Sequence, residues 1–120
     1  MHALVTTDEG RARFWAESAQ ERNGEIEFRF PDGTRRRGRV LANDPPRSFA
    51  LEYFGTRVEF ELADDGAGGT DVTLVDESDD PENRAGWVSV LLSLKAAADH
   101  GIDLRNHDSR RTWEHGFVDN

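Results

Sequence analysis

Three histidines near the C-terminal end, His100, His107 and His115, are interspersed with Asp103 and Asp108. Imidazoles and carboxylates together can hold a metal or move protons, but neither the spacing nor the order here matches a known ligand pattern. The stretch reads better as structure. Asp108 is expected to cap a short helix running through Trp113, with Gly116 ending it and Phe117 folding back on it. Arg105 and Arg111 are expected to pair with nearby carboxylates. A basic run, Arg35 to Arg37 with Arg39, offers an anion site or, more commonly, a solvated strand face opposite Glu25 and Glu27. Arg36 differs from its neighbours because it should share a face with Phe30. Serines and histidines are present without G-x-S-x-G or a comparable nucleophile signature. The carboxylate pairs Asp64-Asp65 and Asp79-Asp80 lie in turns and caps, without the apolar setting that would raise a pKa for acid–base work. No catalytic residue, metal ligand or cofactor is therefore assigned.

The side chains left to carry a function are apolar. Trp15, Phe28, Phe30, Tyr53, Phe60, Trp87 and Leu91 could wall a pocket, with Arg36 orienting a polar end of its occupant. Each could equally be core. Trp and Tyr shift the balance, because their polar atoms need partners when buried.

These residues require elements to position them. Asp80 and Pro81 form a helix start, and His100 with Gly101 forms a helix stop. Between them Trp87, Val90, Leu91, Leu94 and Ala98 recur at helical spacing, so the rod is about 28 Å long at 1.5 Å per residue. Upstream, Met1 to Ser18 reads as short helical pieces with Thr7 capping Asp8-Glu9, and Ala12, Trp15, Ala16 and Ala19 continue at helical spacing. After the Asn23-Gly24 turn, alternation of period two predicts four or five strands between residues 25 and 76. Asp32-Gly33 marks a hairpin. Aligning Ile26 with Val40 places Phe28 opposite Gly38 and Glu27 opposite Arg39, which joins an aromatic to a glycine and an acid to a base. Antiparallel strands followed by one long helix define an α+β fold, with a curved sheet around the helix and a gap between them as the default binding site. Val88 and Leu92 form a second apolar flank on the helix, which Trp113 and Phe117 are expected to cover.

Composition narrows the function classes. The chain has 120 residues and a formal net charge of −9, from 24 acidic against 15 basic residues. It fits a single domain over 1–120, large enough to bury roughly two-thirds of its unfolded surface. Nucleic acid and anionic membrane surfaces are poor partners for such a charge. No cysteine is present, which removes disulfides and thiolate chemistry. No apolar run approaches a membrane span and no signal-peptide core is evident, so a cytoplasmic protein is expected.

Ala3-Leu4-Val5-Thr6-Thr7 with Phe14-Trp15, followed by strands and then Gly86-Trp87 leading into Leu91 and Leu94-Lys95, resembles the START-like (SRPBCC) helix-grip superfamily. The branch it is most similar to comprises homologues of the heat-shock-90 ATPase activator C-terminal domain. The resemblance covers residues 2–100, and 101–120 looks like an extension packing on the long helix. It implies a curved antiparallel sheet gripping a helix, with a cavity for a small hydrophobic ligand. The superfamily also contains cyclase- and hydrolase-like enzymes and chaperone-interaction modules, which are the alternative expectations. It implies too a first strand that this chain lacks. Met1 is then either an internal codon taken as initiator or the start of a short form whose sheet edge is filled by another subunit, as in a homodimer.

Overall fold

The structure, a computed structural model, describes residues 1–117. The chain begins with two single-turn helices, α1 (His2–Thr6) and α2 (Asp8–Ala12), joined at Thr7. The Thr7 hydroxyl accepts the Gly10 N–H at 3.0 Å, which caps α2 as its sequence suggests. The two helices pack so closely that a Cβ at Gly10 would stand 2.5 Å from the Ala3 carbonyl oxygen.

Six strands follow: β1 (Ser18–Arg22), β2 (Glu25–Arg29), β3 (Arg35–Asp44), β4 (Ser48–Tyr53), β5 (Thr56–Asp64) and β6 (Thr70–Asp76). They form one antiparallel sheet in chain order, so β1 and β6 are its edges. Two expectations are corrected here. The sheet has six strands rather than four or five, because Ser18 to Arg22 pairs with β2 across the Asn23-Gly24 turn rather than extending a helical segment. The β2–β3 register is displaced by two residues: Ile26 faces Gly38, Phe28 faces Arg36 and Glu27 faces Arg37. The turn sets it. Phe30 donates its N–H to the Thr34 carbonyl, and the Asp32 carboxylate accepts the Thr34 N–H. Because the displacement is even, every side chain keeps its face. The Phe28 ring still covers Gly38 diagonally, 3.2 Å from where a Cβ would lie.

The long helix α3 (Pro81–His100) has the ends its sequence signals. The Asp80 side chain accepts the Glu82 N–H, Pro81 opens the first turn, and Gly101 closes the helix in the left-handed region at φ 64°. Its buried stripe passes through Leu94 to Ala97 rather than Ala98, which is exposed. Leu94 and Ala97 join Val5, Phe14, Trp15, Ile26, Phe28, Phe49, Leu51, Val58 and Phe60 in one core, so the sheet grips the helix with the residues between α2 and β1 wedged between them. This is the helix-grip arrangement. No helix of the described residues is long and apolar enough to cross a membrane.

Three arginines bind backbone carbonyls where these elements meet. Arg11 is wholly buried and donates to Ala19 O, Val5 O and the Asp8 carboxylate, at 3.0, 3.2 and 2.6 Å. Burial lowers its pKa, against the opposing pull of Asp8. Arg13 reaches Ala97 O near the end of α3. Arg105, also buried, donates to Ala16 O and Ala12 O and forks onto Asp103, which staples the tail to the end of α2.

Beyond Gly101 the described residues of the tail are irregular apart from a 3₁₀ turn, Trp113–His115. Thr112, not Asp108, precedes this turn, with its Oγ1 3.0 Å from His115 Nδ1; Asp108 instead accepts the Arg110 N–H in a turn of its own. Gly116 ends the 3₁₀ turn at φ 89°. The last three positions of the expected extension, 118–120, lie outside the described residues. Val88 and Leu92 remain exposed, so Trp113 and Phe117 do not cover that flank. The Arg105 staple holds the tail against the Ala12–Ala16 segment and carries Trp113 to the other side of α3.

Candidate functional site

A cavity of about 370 Å³ lies between the sheet and the first half of α3. Its inner end is formed by Trp15, Tyr53 and Trp87, and its outer end by Phe30, Phe54, Arg36 and the tail residue Trp113. Trp15 is nearly buried, whereas Phe54 and Trp113 are exposed, which fixes the inner and outer directions. The rings are mutually packed. Trp15 lies 5.5 Å from Tyr53 and 5.7 Å from Trp87 between ring centres, and Tyr53 lies 5.3 Å from Trp87. Such tilted and edge-on contacts suit the charge distribution of aromatic faces and edges.

Each ring is placed by a local device. Trp15 follows α2, whose single turn ends where the Arg11 carbonyl accepts the Trp15 N–H at 2.9 Å. Trp87 sits in the second turn of α3, and its Nε1 donates to Asp76 at the end of β6 at 3.0 Å, which ties helix to sheet. Tyr53 ends β4, and the turn after it places Phe54 and Gly55 in the left-handed region, at φ 50° and 80°. That is natural for glycine and strained for phenylalanine. The Phe54 ring stacks edge-on against Tyr53 at 4.6 Å, with the Arg36 guanidinium 5.7 Å above it.

The polar groups divide by depth. Around the outer part stand Arg36 and three carboxylates, Asp32, Glu82 and Glu114. At the inner end, burial pushes the Tyr53 hydroxyl pKa well above its ordinary value, with smaller opposing effects from the Trp15 N–H and Arg36. Tyr53 is thus neutral at ordinary pH. The Trp15 and Tyr53 rings lie 5.5 Å apart between centres, and the Trp15 Nε1 makes no hydrogen bond. It is the one buried side-chain polar atom without a partner among the described residues.

Of the eight residues singled out from sequence, Trp15, Phe30, Arg36, Tyr53 and Trp87 line this cavity. Phe28 and Phe60 do not. Both are fully buried beneath it and support Trp15, at 4.9 and 5.4 Å between ring centres. Leu91 faces a separate groove with Met1, Val72 and Leu92. Sequence reasoning missed Phe54, Val90 and Trp113. Val90 was on the helical stripe and could have been included, whereas nothing in the tail's sequence signals where Trp113 lands.

The three histidines do not meet. His100 is exposed in the last turn of α3, His115 bonds Thr112, and His107 bridges Glu17 and Asp103, with its Nε2 2.7 Å from Asp103. The bond to Glu17 is the largest cause raising the His107 pKa. Burial would raise the pKa of Asp103, but hydrogen bonds from Arg105 and His107 overcome it and hold the group at about 2. Among the described residues no group of histidine and carboxylate side chains is arranged to hold a metal ion.

The arrangement defines a helix-grip fold with an aromatic cavity between sheet and helix. The fold is shared with solved structures, three of which are these. Protein SSP2350 from Staphylococcus saprophyticus matches with a TM-score of 0.74 at 19% identity, over 84% of this chain and 82% of that one. The Aha1 dimer from Colwellia psychrerythraea matches at 0.63 and 22%, over 83% and 86%. A protein encoded by BPP1335 from Bordetella parapertussis matches at 0.58 and 24%, over 78% and 64%. At these identities the likeness establishes the fold. No protein-family model and no curated protein matches the chain.

Proposed function

We propose that the protein binds a small apolar or amphipathic molecule in the cavity between the sheet and α3. The observation that carries this reading is the space itself, about 370 Å³ walled by aromatic rings. That volume lies in the range of small-molecule sites, and aromatic rings share the lining with polar side chains. Trp15, Phe30, Tyr53 and Trp87 supply the wall, and Arg36 meets the polar end of an amphipathic occupant.

Gly86 permits a direct test. It lines the cavity from α3, and a Cβ there meets nothing within 4 Å. Gly86→Leu should therefore fold, gaining helix propensity of about 1 kcal/mol, while filling the space. The expected outcome is that wild type binds the fluorescent probe 1-anilinonaphthalene-8-sulfonate, and that the variant binds it at least about tenfold more weakly. Native mass spectrometry of protein from its own host should also reveal a co-purifying apolar compound. Equal probe binding by wild type and variant, with no compound retained under several growth conditions, would refute the reading.

A second reading, a homodimer, is favoured by one observation. The edge strand β6 exposes Val75, its Val72 shares a groove with exposed Val88 and Leu92 of α3, and open apolar edges invite pairing. The Aha1 neighbour is itself a dimer. Light scattering across a concentration series, with Val75→Lys as control, tests it. A monomer at every concentration rules it out.

A further inference from the structure

We infer that the inner end of this cavity is a donor site for a neutral hydrogen-bond acceptor, so that the ligand carries a carbonyl-class oxygen (ketone, ester or amide) against the Tyr53 hydroxyl, backed by the Trp15 indole N–H. The inference rests on the binding reading above and narrows it to a chemical class.

The starting point is the unpartnered Trp15 N–H. An indole nitrogen only donates, and a donor buried without an acceptor is costly. Trp15 is only 3% exposed and surrounded by Phe14, Phe28, Phe60 and Trp87, none of which offers an acceptor on its ring. The adjoining ring that carries an acceptor is Tyr53, 5.5 Å away between ring centres. A phenol can accept from Trp15 and donate onward at the same time, and each bond in such a chain strengthens the other. Tyr53 donates to no described residue, and Tyr53 lines the cavity. An acceptor oxygen placed there completes the series Trp15 N–H to Tyr53 O–H to ligand.

The charge pattern sets the class of acceptor. Arg36 is the one basic side chain lining the cavity among the described residues, and it lies outward, over Phe54. Asp32, Glu82 and Glu114 share the lining with it. A carboxylate driven to the inner end would lose its water, find Arg36 turned outward over Phe54 and pass three acids. A neutral carbonyl meets none of these obstacles, and its carbon skeleton fits the aromatic walls.

The test uses the full chain and two isosteric probes, 2-acetylnaphthalene and 2-isopropenylnaphthalene, which differ by C=O against C=CH₂. Affinities are measured by calorimetry for wild type and Tyr53→Phe, and the indole N–H signals are followed by NMR in wild type. We expect the ketone-to-alkene affinity ratio to fall about tenfold in Tyr53→Phe, and the Trp15 N–H signal to move downfield with the ketone only. If both probes bind, the ratio is unchanged by the substitution and the Trp15 signal responds alike to both, the donor site is overturned while the cavity reading stands. If neither probe binds wild type, the cavity reading fails and this inference fails with it. Should Tyr53→Phe not fold, the wild-type indole shift decides alone: a downfield move with the ketone only supports the site, and its absence overturns it.

Discussion

Phe54 is the residue whose backbone and side chain want different things. At φ 50° it occupies a conformation that costs a bulky L-residue about 1 kcal/mol or more, yet its ring forms part of the outer cavity wall. Asparagine tolerates that conformation, so Phe54→Asn should hold or raise stability by up to about 1 kcal/mol in urea unfolding while weakening apolar-probe binding. A stability loss above about 1 kcal/mol would show that the ring contacts outweigh the strain. At this scale the sequence was partly legible. The aromatic residues offered either wall or core, and alternation gave Phe30 the same face as Phe28. Alternation does not give depth, which is why Phe28 and Phe60, on the same inner face, lie under the cavity instead of in it. Arg11 was hidden altogether: in an arginine-rich chain nothing marks the one whose partners are the carbonyls of Val5 and Ala19.

Among elements, α3 was readable almost to the residue because capping is local chemistry: Asp80, Pro81 and Gly101 act within one turn of themselves. The first strand was not. Ser18 to Arg22 is polar apart from Ala19, and Ala12, Trp15, Ala16 and Ala19 imitate a helical stripe, so only pairing with β2 makes it a strand. The β2–β3 register failed for a related reason, since side-chain complementarity is satisfied equally well two residues away and the turn decides. Packing of α1 on α2 depends on Gly10, whose absent side chain lets backbone meet backbone. Gly10→Ala puts a methyl 2.5–2.6 Å from Ala3 and Leu4 backbone atoms, which cannot swing aside. We expect a loss of about 2–4 kcal/mol in denaturant unfolding, in the range of severe overpacking. A loss below about 1 kcal/mol would show that the two helices shift apart freely.

At the scale of the molecule, the tail is held by a charge cluster with two pH limits. His107 has a raised pKa, so its contribution is complete below the ordinary 6.5 and is lost as pH rises through the higher folded value. Asp103 has a lowered pKa, so its contribution is complete above the ordinary 3.8 and is lost as pH falls toward about 2. The tail is therefore anchored best between about pH 4 and 6.5. Hydrogen exchange of the Arg105 to Trp113 amides should accelerate on the alkaline side, and His107→Gln should flatten that limb while shifting the acid one less, because the Arg105 fork onto Asp103 remains. An alkaline limb that survives the substitution would remove His107 from this role. The packed rings have an optical consequence as well. Trp15 is fixed against five other aromatic side chains at set tilts. Chromophores locked in such an asymmetric array absorb left- and right-circularly polarised light unequally near 280–290 nm, a signal that vanishes when tertiary packing loosens. The wall of the cavity thus carries its own unlabelled reporter, and occupancy can be followed by the ellipticity of the protein itself.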